Sequence, residues 1–446
     1  MPSPHARSAL VGLCTALVAL FATSLGVASV ARAAAPAKPN VLFILIDTLR
    51  ADALGTYGQK LPTSPRIDAF AKTAVVYERA WTQYTWTGPS YVSYMTSRYA
   101  RTHGWDYRLD KPDTFRALDD RAPMLAQVLQ GAGYATSAQH SQPNLREDLN
   151  FNRGFDTFVR GADVGVVRGA VTNIGKWKAD GKPNFLYMHV MAPHVPLLPS
   201  AAARAAVGAP ATLEKGMSYD WWSAAPADQK AARLEEFRRT YLAGVRDADT
   251  YVGTVLDALD ATGLAGETVV VIASDHGELI GEHGKIGHTA TTAEALTHIP
   301  LIVRTPGTPP RREKAPASMI DIAPTLATLA GAAPPSPWQG RSLTAGGSAT
   351  LVSERDEVLA VSDGTWKLVE GRASGTFVGV YDLKSDPSEK ARLPATANPA
   401  VNGLVRAAAD FRTRAPEQDN LGAALQLQGD EKQKQLEELR ALGYIE

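Results

Sequence analysis

The chain has 446 residues, 45% of them hydrophobic, and its 46 Lys and Arg balance its 46 Asp and Glu. This length and apolar content suffice for a large domain plus a smaller one, and they exclude a small scaffold held together by disulfides. A formal net charge of zero gives no indication of a basic face, so we expect a small molecule or a glycan as partner and no nucleic acid.

Residues 1–33 have the pattern of an export signal. Arg7 precedes an apolar run from about Leu10 to Val30, and Ala31-Arg32-Ala33 is a small-residue cleavage pattern. A membrane anchor is the alternative, because the run is nearly long enough to span a bilayer. We predict cleavage, and therefore a periplasmic or secreted chain without stable membrane insertion. Cys14, the only cysteine, lies in this segment, so the mature chain has no disulfide and no cysteine nucleophile.

Three apolar runs predict buried strands that end in polar residues. They are "NVLFILID" (40–47), "NFLYMHVMAPHVP" (184–196) and "ETVVVIASDHGE" (267–278). Continuous apolar runs are typical of parallel strands that are buried on both faces. Open α/β sheets bind ligands beyond the carboxyl ends of such strands. We therefore expect the polar residues at these ends to form one shared site.

The segments between and after these strands predict an α/β sandwich and a smaller C-terminal part. Residues 231–261 have apolar side chains at helical spacing, and alternating helices and strands indicate an α/β fold. Residues 332–347 are rich in Pro, Gly and Ser, which indicates a connector. Beyond it, 357–371 and 376–383 predict two strands of a hairpin or meander. Leu436, Leu439 and Leu442 share one face of a predicted terminal helix.

Asp47, Asp275 and His276 are candidate metal ligands. Two carboxylates and an imidazole at one sheet edge suit a divalent cation. The alternative is that Asp275 caps a helix and His276 makes an ordinary hydrogen bond. The glycine-punctuated loop that follows carries His283 and His288, and a polar loop after so apolar a strand favours a site.

The stretch "TWTGPSYVSYMTSRYARTHG" (85–104) contains the candidate reacting group. Pro89 suits the first position of a helix, and Thr87 just before it is either a plain N-cap or a nucleophile activated by a metal. The positive end of the helix would favour an anion beside Thr87. Arg98 lies three turns further, too far along a straight helix to grip the same anion directly. It would orient neighbouring loops or anchor the helix.

Ordered motifs from about Pro39 to the end of the chain resemble the sulfatase family of the alkaline phosphatase superfamily. They include "NVLFILIDTLRADALGTYG", "TGPSYVSYMTSRYARTHG", "FLYMHVMAPHVPLLP", "SDHGELIGEHGKIGH", "HIPLIVRTPG" and "VYDLKSDPSE". The resemblance implies an α/β/α sandwich around a large, mostly parallel sheet in a catalytic domain at 34–340. It further implies a C-terminal subdomain at 341–446 with a small antiparallel sheet and a terminal helix.

The resemblance also assigns roles to individual residues. Asp47, Asp275 and His276 match the family's metal ligands, and Thr87 falls on the nucleophile position, where it would also contact the metal. One divalent cation is implied, with Ca²⁺, Mg²⁺, Mn²⁺ and Zn²⁺ all left open. His194 matches the histidine that contacts the ester or protonates the leaving oxygen. His288 falls where many members have a lysine that binds the oxygens of the ester.

Several positions depart from the family pattern. The usual Cys-x-Pro-Ser-Arg reads Thr87-Gly88-Pro89-Ser90-Tyr91, so no formylglycine can form and the arginine beside the nucleophile is absent. Thr48 stands where a second metal-binding aspartate often occurs. A Lys-x-His pair is missing near Gln139, His140 and Gln142, which are polar candidates in its place.

From these matches and departures we expect a metal-dependent hydrolase of sulfuric or phosphoric esters with a threonine nucleophile. Thr87, His194 and His288 would be catalytic, and the substrate would contact His288, Arg98, Gln139 and His140. A formylglycine hydrate expels sulfate by collapsing to the aldehyde, whereas a threonine ester must be hydrolysed directly. Phosphate esters are therefore favoured, or a sulfatase with unusual turnover. A catalytically inactive binding protein and a phosphoryl-group transferase are the alternatives.

Overall fold

The computed structural model describes residues 38–426, apart from 106–113, 214–216, 289–290, 349 and 397, and then residues 429, 433, 434 and 437. The predicted signal segment and the leucines of the predicted terminal helix lie outside these residues. Within the described part of the chain, no helix is both long enough and apolar enough to cross a membrane.

Short strands and helices alternate along most of the chain. The strands are β1 (Asn40–Ile46), β2 (Val75–Trp81), β3 (Thr114–Arg116), β4 (Ala135–His140), β5 (Thr157–Arg160), β6 (Asn184–Val190), β7 (Thr268–Ala273), β8 (Leu279–Ile280), β9 (Ile286–Gly287), β10 (His298–Arg304), β11 (Arg311–Glu313), β12 (Ala317–Ser318), β13 (Leu351–Arg355), β14 (Val358–Ser362), β15 (Trp366–Gly371), β16 (Phe377–Asp382) and β17 (Ala424–Gln426). The α-helices are α1 (Pro65–Ala71), α2 (Thr87–Thr96), α3 (Ala100–His103), α4 (Leu125–Gly131), α5 (Asp163–Ile174), α6 (Ala201–Val207), α7 (Tyr219–Ser223), α8 (Lys230–Thr262), α9 (Glu294–Thr297), α10 (Ile322–Leu329) and α11 (Ala400–Arg414).

The main sheet has nine strands among the described residues, in the order β11-β2-β10-β7-β1-β6-β4-β5, with β12 also paired to β2. Its centre is parallel, because β1 pairs in parallel with both β6 and β7, and β4 pairs in parallel with β5 and β6. Only β10 breaks the pattern, since it runs antiparallel to β7 and to β2. The apolar run at 298–304 carries no signal of strand direction.

Strand β1 is buried on both faces, as its continuous apolar run predicts. Residues 41–46 are all fully buried, and they alternate between two hydrophobic cores. Val41, Phe43 and Leu45 pack with residues of α2, α4 and α10, whereas Leu42, Ile44 and Ile46 pack with residues of α1, α5 and α8. Helices therefore cover both faces, and the predicted α/β/α sandwich around a mostly parallel sheet is confirmed.

A second, antiparallel sheet follows the proline-rich connector, in the order β13-β14-β15-β16. The sequence predicted one strand at 357–371 and one at 376–383, but the first of these segments forms both β14 and β15, and the meander has four strands. Helix α11 covers one side through Val401, Leu404, Ala408 and Phe411. Contacts group residues 38–446 into one compact unit, so the connector separates two sheets inside that unit.

Asp249 in α8 caps the first turn of α1 from outside that helix. Its Oδ1 accepts hydrogen bonds from Arg66 N (2.9 Å) and Ile67 N (2.8 Å), two backbone donors that a helix start leaves without partners. Ser64, the N-cap residue of α1, makes no capping hydrogen bond with its own side chain. The carboxyl is fully buried, and burial raises its pKa to about 6.

We predict that Asp249→Asn changes the pH dependence of stability. The pKa is higher in the folded state than the ordinary 3.8, so the folded chain binds the proton more tightly, and stability falls as the pH rises from about 4 to about 6. Over that window the free energy of unfolding of the wild type should fall by up to about 3 kcal/mol relative to the variant, at roughly 1.4 kcal/mol per pKa unit. Urea unfolding at each pH measures the difference.

Asp257→Asn is the control, because this carboxylate of α8 is largely exposed and pairs with Arg66. A plot of its free energy of unfolding against pH should run parallel to that of the wild type. A parallel curve for Asp249→Asn as well would contradict the prediction.

Candidate active site

The neighbouring parallel strands β1 and β7 deliver the three candidate metal ligands to one edge of the sheet. Leu45 lies opposite Ala273 in the register, so the chain leaves both strands at the same level. Asp47 follows β1 directly, and Asp275 and His276 follow β7 after Ser274. All three are fully buried, and one ligand atom from each lies within 4.8 Å of the others. The structure thus brings together the set that the sequence proposed.

Among the described residues, each carboxylate has one oxygen held by hydrogen bonds and one that accepts none. Asp47 Oδ2 accepts hydrogen bonds from Gln142 Nε2 (2.9 Å) and His189 Nε2 (3.1 Å), and Asp275 Oδ1 accepts from the backbone N–H groups of Thr48 (3.2 Å) and His276 (3.0 Å). Within the described residues, Asp47 Oδ1 and Asp275 Oδ2 are buried and lack any hydrogen-bond partner. Two such oxygens are costly to bury unless a cation or a donor meets them.

The pKa values of the two carboxyls are shifted in opposite directions. Burial raises the pKa of Asp47, but the hydrogen bond from His189 and the charge of His194 outweigh it, so the pKa lies well below its ordinary value. Burial raises the pKa of Asp275, and the negative charge of Asp47 raises it further. Two acids so close cannot both ionise cheaply without a positive charge between them.

His276 presents a lone pair to the same space. Its Nδ1–H donates to Gly277 O (2.9 Å), which leaves Nε2 as the acceptor. Nε2 lies 3.3 Å from the Thr87 hydroxyl. A carbonyl that fixes the tautomer in this way is the arrangement that metal-binding histidines generally have.

Thr87 is the first residue of α2 and does not cap it. The N-cap is Trp86, which makes no side-chain capping bond, and the helix begins two residues before the predicted start at Pro89. Thr87 is fully buried, and its hydroxyl faces His276. The plain N-cap interpretation is therefore wrong. The positive end of the helix dipole lies at this hydroxyl.

His194 and His288 complete a group of three histidines. The ring of His288 lies 5.2 Å from that of His194 and 4.7 Å from that of His276, between centroids. His288 Nδ1 contacts Glu278 Oε1 (3.2 Å) and Tyr219 OH (3.1 Å). Burial, followed by the neighbouring histidines, lowers the pKa of His288, whereas burial raises the pKa of Glu278 to about 7. These surroundings disfavour the charged form of the His288 imidazole.

Three residues expected to bind substrate have their contacts elsewhere. Arg98 follows α2 at its far end, about 15 Å along the helix, and donates to Thr102 O and Gln418 Oε1. The His140 ring packs on Phe158, and its Nδ1 is paired with Gln142 O. Gln139 packs against α5 at Gly169. The structure therefore does not support substrate contacts for Arg98, Gln139 and His140.

Sequence reasoning missed two side chains that orient Asp47. Gln142, named only as a polar candidate, reaches Asp47 because the chain turns after β4. His189 ends the apolar run of β6, and its Nδ1 accepts a hydrogen bond from Tyr187 OH (3.0 Å) while Nε2–H donates to Asp47. A histidine inside an otherwise apolar buried strand was the available signal.

The fold is an α/β/α sandwich with a candidate metal-binding cluster at one edge of its sheet. A family model described as Sulfatase matches residues 39–169 and 162–332. The chain belongs to the sulfatase family, as its motifs suggested.

The chain is similar to human iduronate 2-sulfatase, with 26% identity over 343 residues, a match that covers 60% of each protein. Among solved structures it is similar to a protein bound to its substrate D-glucosamine-2-N,6-O-disulfate, with a TM-score of 0.70 and 18% identity over 86% of this chain and 99% of that one. It is also similar to a phosphonate monoester hydrolase from Silicibacter pomeroyi, with a TM-score of 0.67 and 21% identity over 87% and 99%. At these identities the structures show a shared fold.

We predict that Asp275→Asn stabilises the metal-free protein. The substitution keeps Oδ1 for its two backbone donors, and it removes a buried charge that Asp47 repels. After treatment with a chelator, the variant should melt at a higher temperature than the wild type. A divalent cation should then raise the Tm of the wild type and have little effect on the variant, because binding to the folded state stabilises it.

Asp321→Asn is the matched control, since this buried carboxyl has partners for both oxygens. Oδ1 accepts from Arg341 N and Ser348 Oγ, and Oδ2 accepts from Ser318 N and Ser348 N. The Asn variant loses some of these bonds and should melt at a lower temperature in either state. A lower Tm for chelator-treated Asp275→Asn would contradict the interpretation of Asp275 as an uncompensated charge.

Proposed function

We propose that this chain hydrolyses sulfate or phosphate esters of small molecules or glycans, with the Thr87 hydroxyl as nucleophile. The observation that carries the proposal is the position of this hydroxyl, fully buried at the start of α2 and 3.3 Å from His276 Nε2. Trp86, and not Thr87, is the N-cap of α2, so this hydroxyl has no role in capping the helix. The names of the similar proteins, which include a sulfatase and a phosphonate monoester hydrolase, support this class of reaction.

The donor set fits one divalent cation. Asp47, Asp275 and His276 would hold it together with Thr87, and the two buried carboxylate oxygens without partners are the atoms that require it. Carboxylate, hydroxyl and imidazole donors admit Mg²⁺, Ca²⁺, Mn²⁺ and Zn²⁺. When bound, the cation would supply the positive charge that favours ionisation of the hydroxyl and balances the anionic ester.

The residues of the chain divide the chemical work. Thr87 Oγ forms a bond to sulfur or phosphorus while the bond from that atom to the leaving oxygen breaks. The Thr87 hydroxyl gives its proton to solvent when it ionises, and His194 gives a separate proton to the leaving oxygen. Water then attacks the sulfur or phosphorus of the threonine ester, and His194, now neutral, accepts the proton of that water. Thr87 leaves as the alkoxide and regains a proton from solvent, so the overall change is ester plus water to alcohol plus acid.

His288 would orient the non-bridging oxygens of the ester. It lies between His194 and His276, and its Nε2–H would donate to those oxygens when Nδ1 accepts a hydrogen bond from the Glu278 carboxyl, whose pKa burial raises to about 7. Glu278 and Tyr219 hold its Nδ1 and fix the ring. Its proposed role is therefore to orient the ester oxygens.

A threonine nucleophile favours phosphorus esters over sulfate esters. A threonine ester cannot release its sulfuryl or phosphoryl group by forming an aldehyde, as a formylglycine ester can. Its second step must therefore be attack of water at the same sulfur or phosphorus. The segment at 1–33 supports a periplasmic or secreted location, where such esters would be met as small molecules or glycans.

We predict that Thr87→Ala lowers kcat by a factor on the order of 10³ or more without loss of the fold, because the proposed covalent ester forms on the hydroxyl that the variant lacks. Thr87→Ser should keep part of the rate, since the hydroxyl remains. Steady-state assays of the metal-loaded enzyme, with circular dichroism as a check of folding, measure both effects.

Ser93→Ala is the control for loss of a buried hydroxyl from the same helix, because Ser93 Oγ is paired with His103 Nε2 (3.0 Å) outside the site. It should retain the wild-type rate within a few-fold. Full activity of Thr87→Ala would exclude the proposed nucleophile. No turnover by the wild type with any ester or metal would favour the inactive binding protein.

We predict different time courses for the two ester classes. Aryl phosphates, phosphodiesters and phosphonate monoesters should turn over repeatedly, whereas an aryl sulfate should release about one equivalent of phenol per enzyme and then slow, because the sulfated threonine hydrolyses slowly. Parallel assays with Mg²⁺, Ca²⁺, Mn²⁺ and Zn²⁺ test this. Sustained aryl sulfate turnover at the rate seen with phosphate esters would contradict the expected slow second step.

A further inference from the structure

Helix α2 supplies no positive side chain to the site. Tyr91, where the family has arginine, is fully buried, and its hydroxyl donates to Phe151 O (2.7 Å). Arg98 is held by Thr102 and Gln418. Arg101 is buried and paired with Glu354 (3.1 Å) and Glu417 (3.0 Å). A positively charged side chain that contacts the anionic group of an ester must therefore come from another element.

Arg355, at the end of β13 in the antiparallel sheet, reaches the segment that leads into Thr87. Its guanidinium lies over the rings of Tyr84 and Trp86, 5.4 and 5.7 Å from their centroids. Its NH1 donates to Thr85 O (3.4 Å). These three residues immediately precede Thr87. The stacking holds a planar cation next to the start of α2 without neutralising it.

The docking of β13 on this segment is fixed independently of Arg355. Glu354 N donates to Gln83 O (2.9 Å), and Tyr84 and Glu354 form a parallel bridge. The buried Glu354 side chain pairs with Arg101 and with Arg372 (3.1 Å each). The backbone of β13 therefore stays in place when the side chain at 355 is changed.

The charge of Arg355 is only weakly compensated. Its ion pair is with the adjacent Asp356 at 3.3 Å, and that carboxylate is 46% exposed, so water screens it. After burial and the two histidines, the positive charge of Arg355 is a further cause that lowers the pKa of His288. The positive charge of Arg355 is therefore felt at His288, inside the candidate site.

We propose that Arg355 is a substrate-binding residue whose guanidinium donates hydrogen bonds to the sulfuryl or phosphoryl oxygens held beside Thr87. The inference rests on the proposed ester hydrolysis at this site. It assigns to the antiparallel sheet the cation that α2 lacks at position 91, and it makes that sheet part of the binding site. Together with His288, Arg355 would select a tetrahedral anion over a planar or neutral ester.

The test measures binding of inorganic phosphate and hydrolysis of an aryl phosphate by the metal-loaded full chain. Arg355→Gln should raise both the inhibition constant of phosphate and the KM about tenfold to a hundredfold, the range expected for loss of a hydrogen bond between charged groups. Arg355→Lys should recover part of the loss, because the charge remains. Arg412→Gln, which breaks a pair with Glu370 (2.6 Å) in the same sheet, should leave both constants within about twofold.

Unchanged phosphate inhibition in Arg355→Gln, with a lower kcat and Tm, would overturn the proposal, because Arg355 would then only hold Thr85 in place. Phosphate binding can also be titrated calorimetrically in the Thr87→Ala background, where no turnover is needed. Weaker phosphate binding on adding Arg355→Gln there supports Arg355 as an anion ligand whatever the nucleophile is. Activity of Thr87→Ala itself would exclude Thr87 as the nucleophile and would leave the proposed role of Arg355 intact.

Discussion

Two buried carboxylate oxygens without partners, Asp47 Oδ1 and Asp275 Oδ2 in the described part of the chain, are the constraint around which the site is built. They lie close together because β1 and β7 are adjacent and parallel, so that an aspartate follows each strand at the same edge of the sheet. Such a pair destabilises a fold unless its geometry is fixed and a positive charge meets it. The neighbouring donors fix the geometry, since each carboxylate is held by two hydrogen bonds through its other oxygen.

The central sheet supplies the rigidity that this geometry needs. Residues 41–46 are fully buried between two cores, so Asp47 leaves a strand that cannot shift without disturbing both. Thr48 takes a positive φ of 52°, which is strained for a β-branched residue, and its N–H reaches Asp275 Oδ1. Strain of this kind persists only where the surroundings fix the backbone, and it commonly occurs at functional sites.

The sequence predicted what depends on local pattern. The apolar runs located β1, β6 and β7, and the polar residues at their ends included Asp47, Asp275 and His276, because strand ends in a parallel sheet meet. It did not predict which polar side chain after β4 reaches Asp47, since Gln139, His140 and Gln142 differ only in where the chain turns. The sequence also did not predict the contacts of Arg98, because its partner Gln418 is 320 residues away along the chain. The antiparallel direction of β10 and the approach of Arg355 are likewise set by packing between distant segments.

The threonine at 87 and the tyrosine at 91 belong to one arrangement of α2. Tyr91 packs among Tyr94, Phe151 and Tyr187, where an arginine would be a buried charge without a partner. The Tyr94 and Tyr187 hydroxyls lie 2.7 Å apart, and Tyr187 donates to His189, which in turn holds Asp47. The aromatic core under the helix is thus joined by hydrogen bonds to a metal-ligand candidate. Because position 91 is used for this packing, a positively charged side chain has to come from outside α2. Strand β13 brings one, Arg355, to Thr85 and Trp86.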